Sequence, residues 1–169
     1  MRIVKFVAVA AFGLIALAAC HKKPATHDHA AAPAKTYTLS AADNTRFLAD
    51  YAARSGVHKT ADGLMYRVVK AGNGPTAQSP QDIATVTYKG STIDGKVFDQ
   101  TEPGQPRSFP VGRLIPGWVE ALSMMKEGDD WELAIPASLG YGAQGAGDAI
   151  PPNQTLVFEM HLLKVQPAQ

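Results

Sequence analysis

Beyond Gly63, apolar residues recur at every second position in short runs, and this period of two constrains the fold more than any other feature. A strand sends successive side chains to opposite faces, whereas a helix returns to one face every three or four residues. Leu64, Tyr66 and Val68 alternate with Met65, Arg67 and Val69, and Ala71-Gly-Asn-Gly-Pro75 reads as a turn cluster. Ile83 to Gly90 and Lys96 to Asp99 are the next strands, joined by an arm in which Asp94-Gly95 signals a type I′ hairpin. Trp131, Leu133 and Ile135 alternate as far as Pro136, and a last strand sets Leu156, Phe158, Met160 and Leu162 on one face. One segment breaks the period. Pro116-Gly117 opens a helix with Trp118, Leu122 and Met125 on one side, and Gly128 stops it. About five antiparallel strands with one core helix predict an α+β domain.

The residues before Gly63 have a different character. Ser40-Ala-Ala-Asp43 resembles a capping box with Asp in place of Glu, and Phe47, Leu48 and Tyr51 then fit a short helix ending at Gly56. Residues 39–62 are therefore read as a short helical lead-in. Residues 20–38, rich in Ala, Pro, His, Lys and Thr, offer little apolar surface to bury and read as a flexible tether. His21, His27 and His29 flank Asp28 there, but a tether gives a metal neither fixed geometry nor supporting contacts, so no metal site is assigned.

At the N-terminus, Arg2 and Lys5 precede an apolar run from Phe6 to Ala19, too short to span a bilayer and suited to the core of a signal peptide. The only cysteine, Cys20, falls where that run stops, and Leu17-Ala18-Ala19-Cys20 looks like a bacterial lipobox. An uncleaved anchor or an ordinary secretory signal also fits the run; the position of the cysteine favours a lipoprotein whose residues 1–19 are removed. Two or more acyl chains on Cys20 hold a protein stably on a bilayer, each buried methylene contributing roughly 0.8 kcal/mol. His21 rather than Asp after the cysteine resembles lipoproteins sent to the outer membrane, so the expected place is the cell envelope, facing the periplasm or the cell surface. With Cys20 acylated, no thiol is left for a disulfide. The formal charge is +1, and without residues 1–19 it is −1, which argues against a nucleic-acid partner.

The most specific stretch runs from Ala134 to Phe158. A strand stops at Pro136, a Gly-rich loop carries Tyr141, and Pro151-Pro152 leads into the last strand. Loops of this kind on a rigid sheet usually bind something, and a Gly-flanked tyrosine has little core to join. Together with Val97-Phe98-Asp99 and Ile115-Pro116-Gly117-Trp118, this stretch resembles the catalytic domain of FKBP-type peptidyl-prolyl isomerases, most closely the Mip-like bacterial branch, from about Gly63 to Val165. The resemblance implies that residues 63–169 form an antiparallel half-barrel wrapped around one short central helix. It also implies an isomerase that assists folding of exported or envelope proteins, acts on proline-containing polypeptides and needs no cofactor. Members of that branch carry a longer helical region for dimerisation, so a monomer is expected here.

The same resemblance assigns roles. Trp118 forms the pocket floor, Tyr88, Phe98, Phe109 and Phe158 the walls, and Leu114 and Ile115 the rim. Ile150 presents its backbone N–H to a substrate carbonyl, and the Tyr141 hydroxyl bonds the same ligand. Asp99 sits at the inner edge with Tyr88 as partner, either polarising the twisting carbonyl or orienting the site. Read on their own, Phe98 and Phe158 in strands and Trp118 at a helix start are equally core residues, and Asp99 is equally a turn or cap residue. Two positions depart from the family pattern: Arg107 stands where many members have an aromatic, and Ala146 where eukaryotic members have a larger polar residue. Both are expected to act on substrate preference. A non-catalytic proline-peptide-binding module or chaperone is the alternative function.

Overall fold

The computed structural model describes residues 35–168. The signal segment 1–19, Cys20 and the tether as far as residue 34 lie outside the described residues. From Val57 onwards the chain lays down β1 (Val57–Lys59), β2 (Met65–Lys70), β3 (Ile83–Thr92), β4 (Val97–Gln100), β5 (Arg107–Pro110), β6 (Asp130–Ile135) and β7 (Leu156–Gln166). All pair antiparallel in the order β1-β2-β6-β7-β3-β4, with β5 also on β3. Seven strands replace the expected five or so, because β1 and β5 span only three and four residues, too few to display a period.

The long strands β3 and β7 form the spine, and their alternation is the one the sequence carries. Leu156, Phe158, Met160 and Leu162 are all buried beside Ala84, Val86 and Tyr88. Where Thr85 pairs with Lys164 but Val86 with Leu162, the register slips by one residue, and this brings Val165 to the buried face. The helix α2 (Pro116–Met124) lies against that face with Trp118, Ala121 and Leu122 buried. Proline at its first position has a fixed φ suited to the first turn. The helix ends before Met125, which is extended though buried, so Gly128 (φ +91°) belongs to the following turn instead of the helix end. Gly117 sets how closely α2 approaches, since a Cβ there would lie 2.6 Å from the Ile135 side chain.

The helix α1 (Ala41–Ala52) covers the opposite face. Phe47 and Tyr51 pack with Met65 and Ala134, whose sequence neighbours Leu64, Leu133 and Ile135 face α2. Ser40 caps the helix by accepting from the Asp43 N–H at 3.1 Å. The return arm of the capping box goes further back than the pattern suggests: the Asp43 carboxylate accepts from the N–H of Thr38. Tyr37 packs edge-on against Phe47 at 5.1 Å and donates its hydroxyl to Asp50 at 2.8 Å. Residues 35–38, expected as the end of the tether, are thus docked, because Tyr37 supplies the apolar ring that the preceding residues lack. Nor does the sheet begin at residue 63, since β1 precedes it.

The Asp94-Gly95 turn is not the expected type I′. Gly95 alone has positive φ (+86°), and the Thr92 carbonyl accepts from the Gly95 N–H at 2.9 Å while Thr92 N–H donates to Lys96 at 3.0 Å. Asp94 keeps negative φ because its carboxylate accepts from Lys96 N–H and Thr92 Oγ1, closing a three-residue loop.

A buried latch ties α1 to the other end of the fold. Asn44 accepts from Thr155 N–H at 2.7 Å and donates to Gln154 Oε1 at 3.1 Å, and Gln154 donates to the Leu39 carbonyl at 3.0 Å. Asn44→Ala leaves Thr155 N–H and Gln154 Oε1 without partners, and a loss of about 2–3 kcal/mol is expected in urea denaturation.

Candidate active site

Trp118, in the first turn of α2, is 5% exposed, and three aromatic rings stand perpendicular or tilted around its indole. Tyr88 from β3 meets it edge-on with centroids 4.9 Å apart, Phe158 from β7 at 5.1 Å and Phe109 from β5 at 6.2 Å. Phe98 from β4 packs edge-on against Phe158 at 5.6 Å. The predicted floor and walls therefore converge, although five separate elements supply them. Leu114 and Ile115 pack beside the same cluster, at the entry to α2. Among the described residues the buried Trp118 indole N–H has no acceptor, which in a folded protein calls for an explanation.

Two backbone features make the hollow. Gly90 pairs with Phe158 and with Asp99 across β3, and a Cβ on it would lie 2.6 Å from the Phe158 ring and 2.8 Å from that of Phe98. Only a glycine lets both rings fold over that point of the sheet. Beside it, Gly90 pairs with Asp99 but Ser91 with Val97, so Phe98 is an extra residue in a β-bulge. In an unbroken strand Phe98 and Asp99 would face opposite sides; the bulge lets both reach the aromatic cluster.

Asp99 is held by two partners. The Tyr88 hydroxyl donates to its Oδ2 at 2.5 Å, and Arg107 Nη1 donates to Oδ1 at 3.1 Å and also to the Tyr88 oxygen at 2.9 Å. Arg107, expected to act on substrate preference, also closes a Tyr88–Asp99–Arg107 triangle with its guanidinium. Burial, with the bond to Asp99 and its charge in addition, pushes the Tyr88 hydroxyl up to about 12. Burial likewise raises Tyr51, with the charge of Glu132 in addition. An unfolded tyrosine ionises near pH 10, so the raised folded values stabilise the fold fully below that pH. That stability is expected to fall as pH climbs from about 10 through about 12, measured by denaturation at stepped alkaline pH.

Tyr141 remains 40% exposed, and among the described residues its hydroxyl has no partner. Burial of the ring, and secondarily the Asp99 charge, raises its pKa. The Ile150 N–H, expected to serve a substrate carbonyl, is paired within its own loop. It donates to the Ala146 carbonyl at 3.2 Å while Ala146 N–H donates back at 2.8 Å, a two-residue bridge that closes the loop. Gly145 sits in this bridge at φ +65°, where a Cβ would lie 2.2 Å from the Ile150 oxygen. An amide left free beside the hollow lies at Ile115. Its carbonyl accepts from Trp118 N–H at 2.9 Å, while its own N–H finds no acceptor among the described residues. Nothing in the local sequence marks this donor, since only the fold decides which amides are paired.

A half-barrel sheet closed over one short helix, with an aromatic hollow and one hydrogen-bonded carboxylate, defines the FKBP class of domain. A sequence profile described as FKBP-type peptidyl-prolyl cis-trans isomerase matches residues 74–163, and one described as the domain amino-terminal to it matches residues 16–68. The chain belongs to the FKBP-type peptidyl-prolyl cis-trans isomerase family. It is 45% identical over 130 residues to the FKBP-type 22 kDa peptidyl-prolyl cis-trans isomerase of Escherichia coli, covering 76% of this chain and 63% of that one. It is 43% identical over 123 residues to outer membrane protein MIP of Legionella longbeachae, covering 72% and 52%. Among solved structures, FkpA from Escherichia coli superposes with a TM-score of 0.71 at 43% identity, covering 76% of this chain and 60% of that one. A peptidyl-prolyl isomerase from Pseudomonas syringae superposes at 0.69 with 40% identity, covering 73% and 91%. The chain thus spans under two thirds of the length of the two curated relatives.

Proposed function

We propose that this protein catalyses cis–trans isomerisation of X-Pro bonds in exported or envelope proteins. The observation that carries this reading is the convergence of Tyr88, Phe109 and Phe158 on Trp118, with Phe98 edge-on against Phe158 and one carboxylate whose charge is already paired. The X-Pro isomers differ by only about 0.5–1 kcal/mol, but the barrier between them is roughly 18–20 kcal/mol. At the barrier top the amide is twisted and has lost its resonance and part of its charge separation. An apolar hollow therefore favours the twisted form over the planar one, and no nucleophile is required.

The proline ring lies on Trp118, a substrate carbonyl outside the twisting amide accepts from Ile115 N–H, and Tyr141 bonds the ligand backbone. Asp99 orients the site: its Oδ2 accepts from Tyr88 and its Oδ1 from Arg107, so its role is to fix the Tyr88 wall. A non-catalytic groove would use the same rings, and it would bind a Leu-Pro peptide without accelerating its isomerisation. The direct test is exchange spectroscopy of an uncharged Leu-Pro peptide with the purified protein, where isomerisation at the thermal rate would remove the enzyme reading.

The same proposal places the protein on the bacterial envelope, with residues 1–19 removed and lipid on Cys20. The apolar run before that cysteine supports this, as does a relative named an outer membrane protein. Residues 63–169 act as the isomerase domain, preceded by the lead-in 39–62 and a tether on its lipid side. A monomer is favoured, because the apolar face of α1 is packed on its own sheet. Metabolic labelling with palmitate, compared in Cys20→Ser, tests the anchor.

A further inference from the structure

Arg107 makes all its bonds in the site through one nitrogen. Nη1 serves Tyr88 Oη and both oxygens of Asp99, at 2.9, 3.1 and 3.4 Å. Among the described residues, Nε and Nη2 have no acceptor, and the side chain is 48% exposed. Nε–H and one Nη2–H form the side edge of the guanidinium, where two parallel donors match the two oxygens of a carboxylate. The inward bonds fix that edge. The guanidinium carbon lies 5.9 Å from the centre of the Tyr88 ring, which also packs edge-on against Trp118. A chain with its proline on Trp118 therefore passes a pre-positioned, half-solvated fork at the hydroxyl end of Tyr88.

We infer that Arg107 is a specificity-determining residue: its unpaired Nε–Nη2 edge receives the carboxylate of an acidic residue flanking the X-Pro bond. This deepens the proposed isomerase reading and rests on it for the position of the proline. Asp99 already offsets part of the charge, so the preference is modest. The fork geometry, more than net charge, carries it. A lysine at this position keeps the charge and loses the second parallel donor.

The test uses the full protein and neutral-capped tetrapeptides, with Glu or Gln at each position around proline in turn. Exchange spectroscopy gives kcat/KM, and a separate titration gives Kd for the same pairs. At one position at least, wild type is expected to favour Glu over Gln by roughly three- to fivefold, the upper range for an exposed ion pair. Arg107→Gln abolishes that ratio, Arg107→Lys retains only part of it, and it fades as ionic strength rises from about 0.01 to 1 M. Comparing Glu with Gln within each variant cancels any general effect on the Tyr88 wall. A Glu:Gln ratio near one in wild type, or one unchanged by Arg107→Gln, overturns the inference. Should no peptide be isomerised while the binding preference persists and depends on Arg107, the subsite stands and the enzyme reading falls.

Discussion

Gly90→Ala is expected to lower kcat/KM by about a hundredfold while the protein still folds. The added methyl would start 2.6 Å from Phe158 Cε1 and 2.8–2.9 Å from two carbons of the Phe98 ring. The strand cannot yield, because β3 is paired on both sides here, with Phe158 and with Asp99. The rings must move instead, and they are two of the four walls around Trp118. A displacement of about 1 Å at a positioned site costs on the order of 10²-fold in rate, whereas forcing one methyl into a packed region costs about 1–3 kcal/mol. Isomerisation rates and urea midpoints measured together separate the two effects. A variant with wild-type kcat/KM would mean that these rings do not form the reacting pocket.

Trp118→Ala carries the largest expected loss of stability, about 3–5 kcal/mol, together with isomerase activity near the thermal rate. The indole is 5% exposed and touches Tyr88, Phe109 and Phe158 at once, so its removal opens a cavity beneath all three. Trp118→Phe serves as the control. The indole N–H has no acceptor among the described residues, so losing it breaks no hydrogen bond there, and a phenyl ring keeps most of the floor. That variant is expected to lose less than about 1.5 kcal/mol and to retain measurable turnover. Equal loss of activity in both variants at unequal stability would instead assign the indole N–H itself a role in holding substrate.

How much of the site the sequence shows depends on how far apart in the chain the interacting residues lie. The inward face of β7 is legible because four apolar residues at a spacing of two record a periodic environment. The turn at Asp94-Gly95 is half legible: glycine marks the positive φ, but the Asp94 side-chain bonds choose the three-residue loop over the expected one. The edge strand Val57–Lys59 is not legible, since three residues hold no period and its partner strand defines it. The resemblance groups the aromatic residues without geometry, whereas the pairing of the Ile150 amide inside its own loop is set by the fold.

From its own residues the sequence determined the α+β alternation, the single core helix behind Pro116, and a tyrosine in a glycine-rich loop. Each is a local property, set by side-chain period or backbone freedom over a few neighbours. The tertiary structure alone decided that Phe98 bulges out beside Asp99, that Gly90 must lack a side chain, and that Arg107 closes on Asp99. It alone decided, too, that Asn44 latches onto Thr155 across 111 positions of chain. Those outcomes depend on which strands pair and in which register, and register is fixed by the summed packing of both faces of the sheet rather than by any one segment.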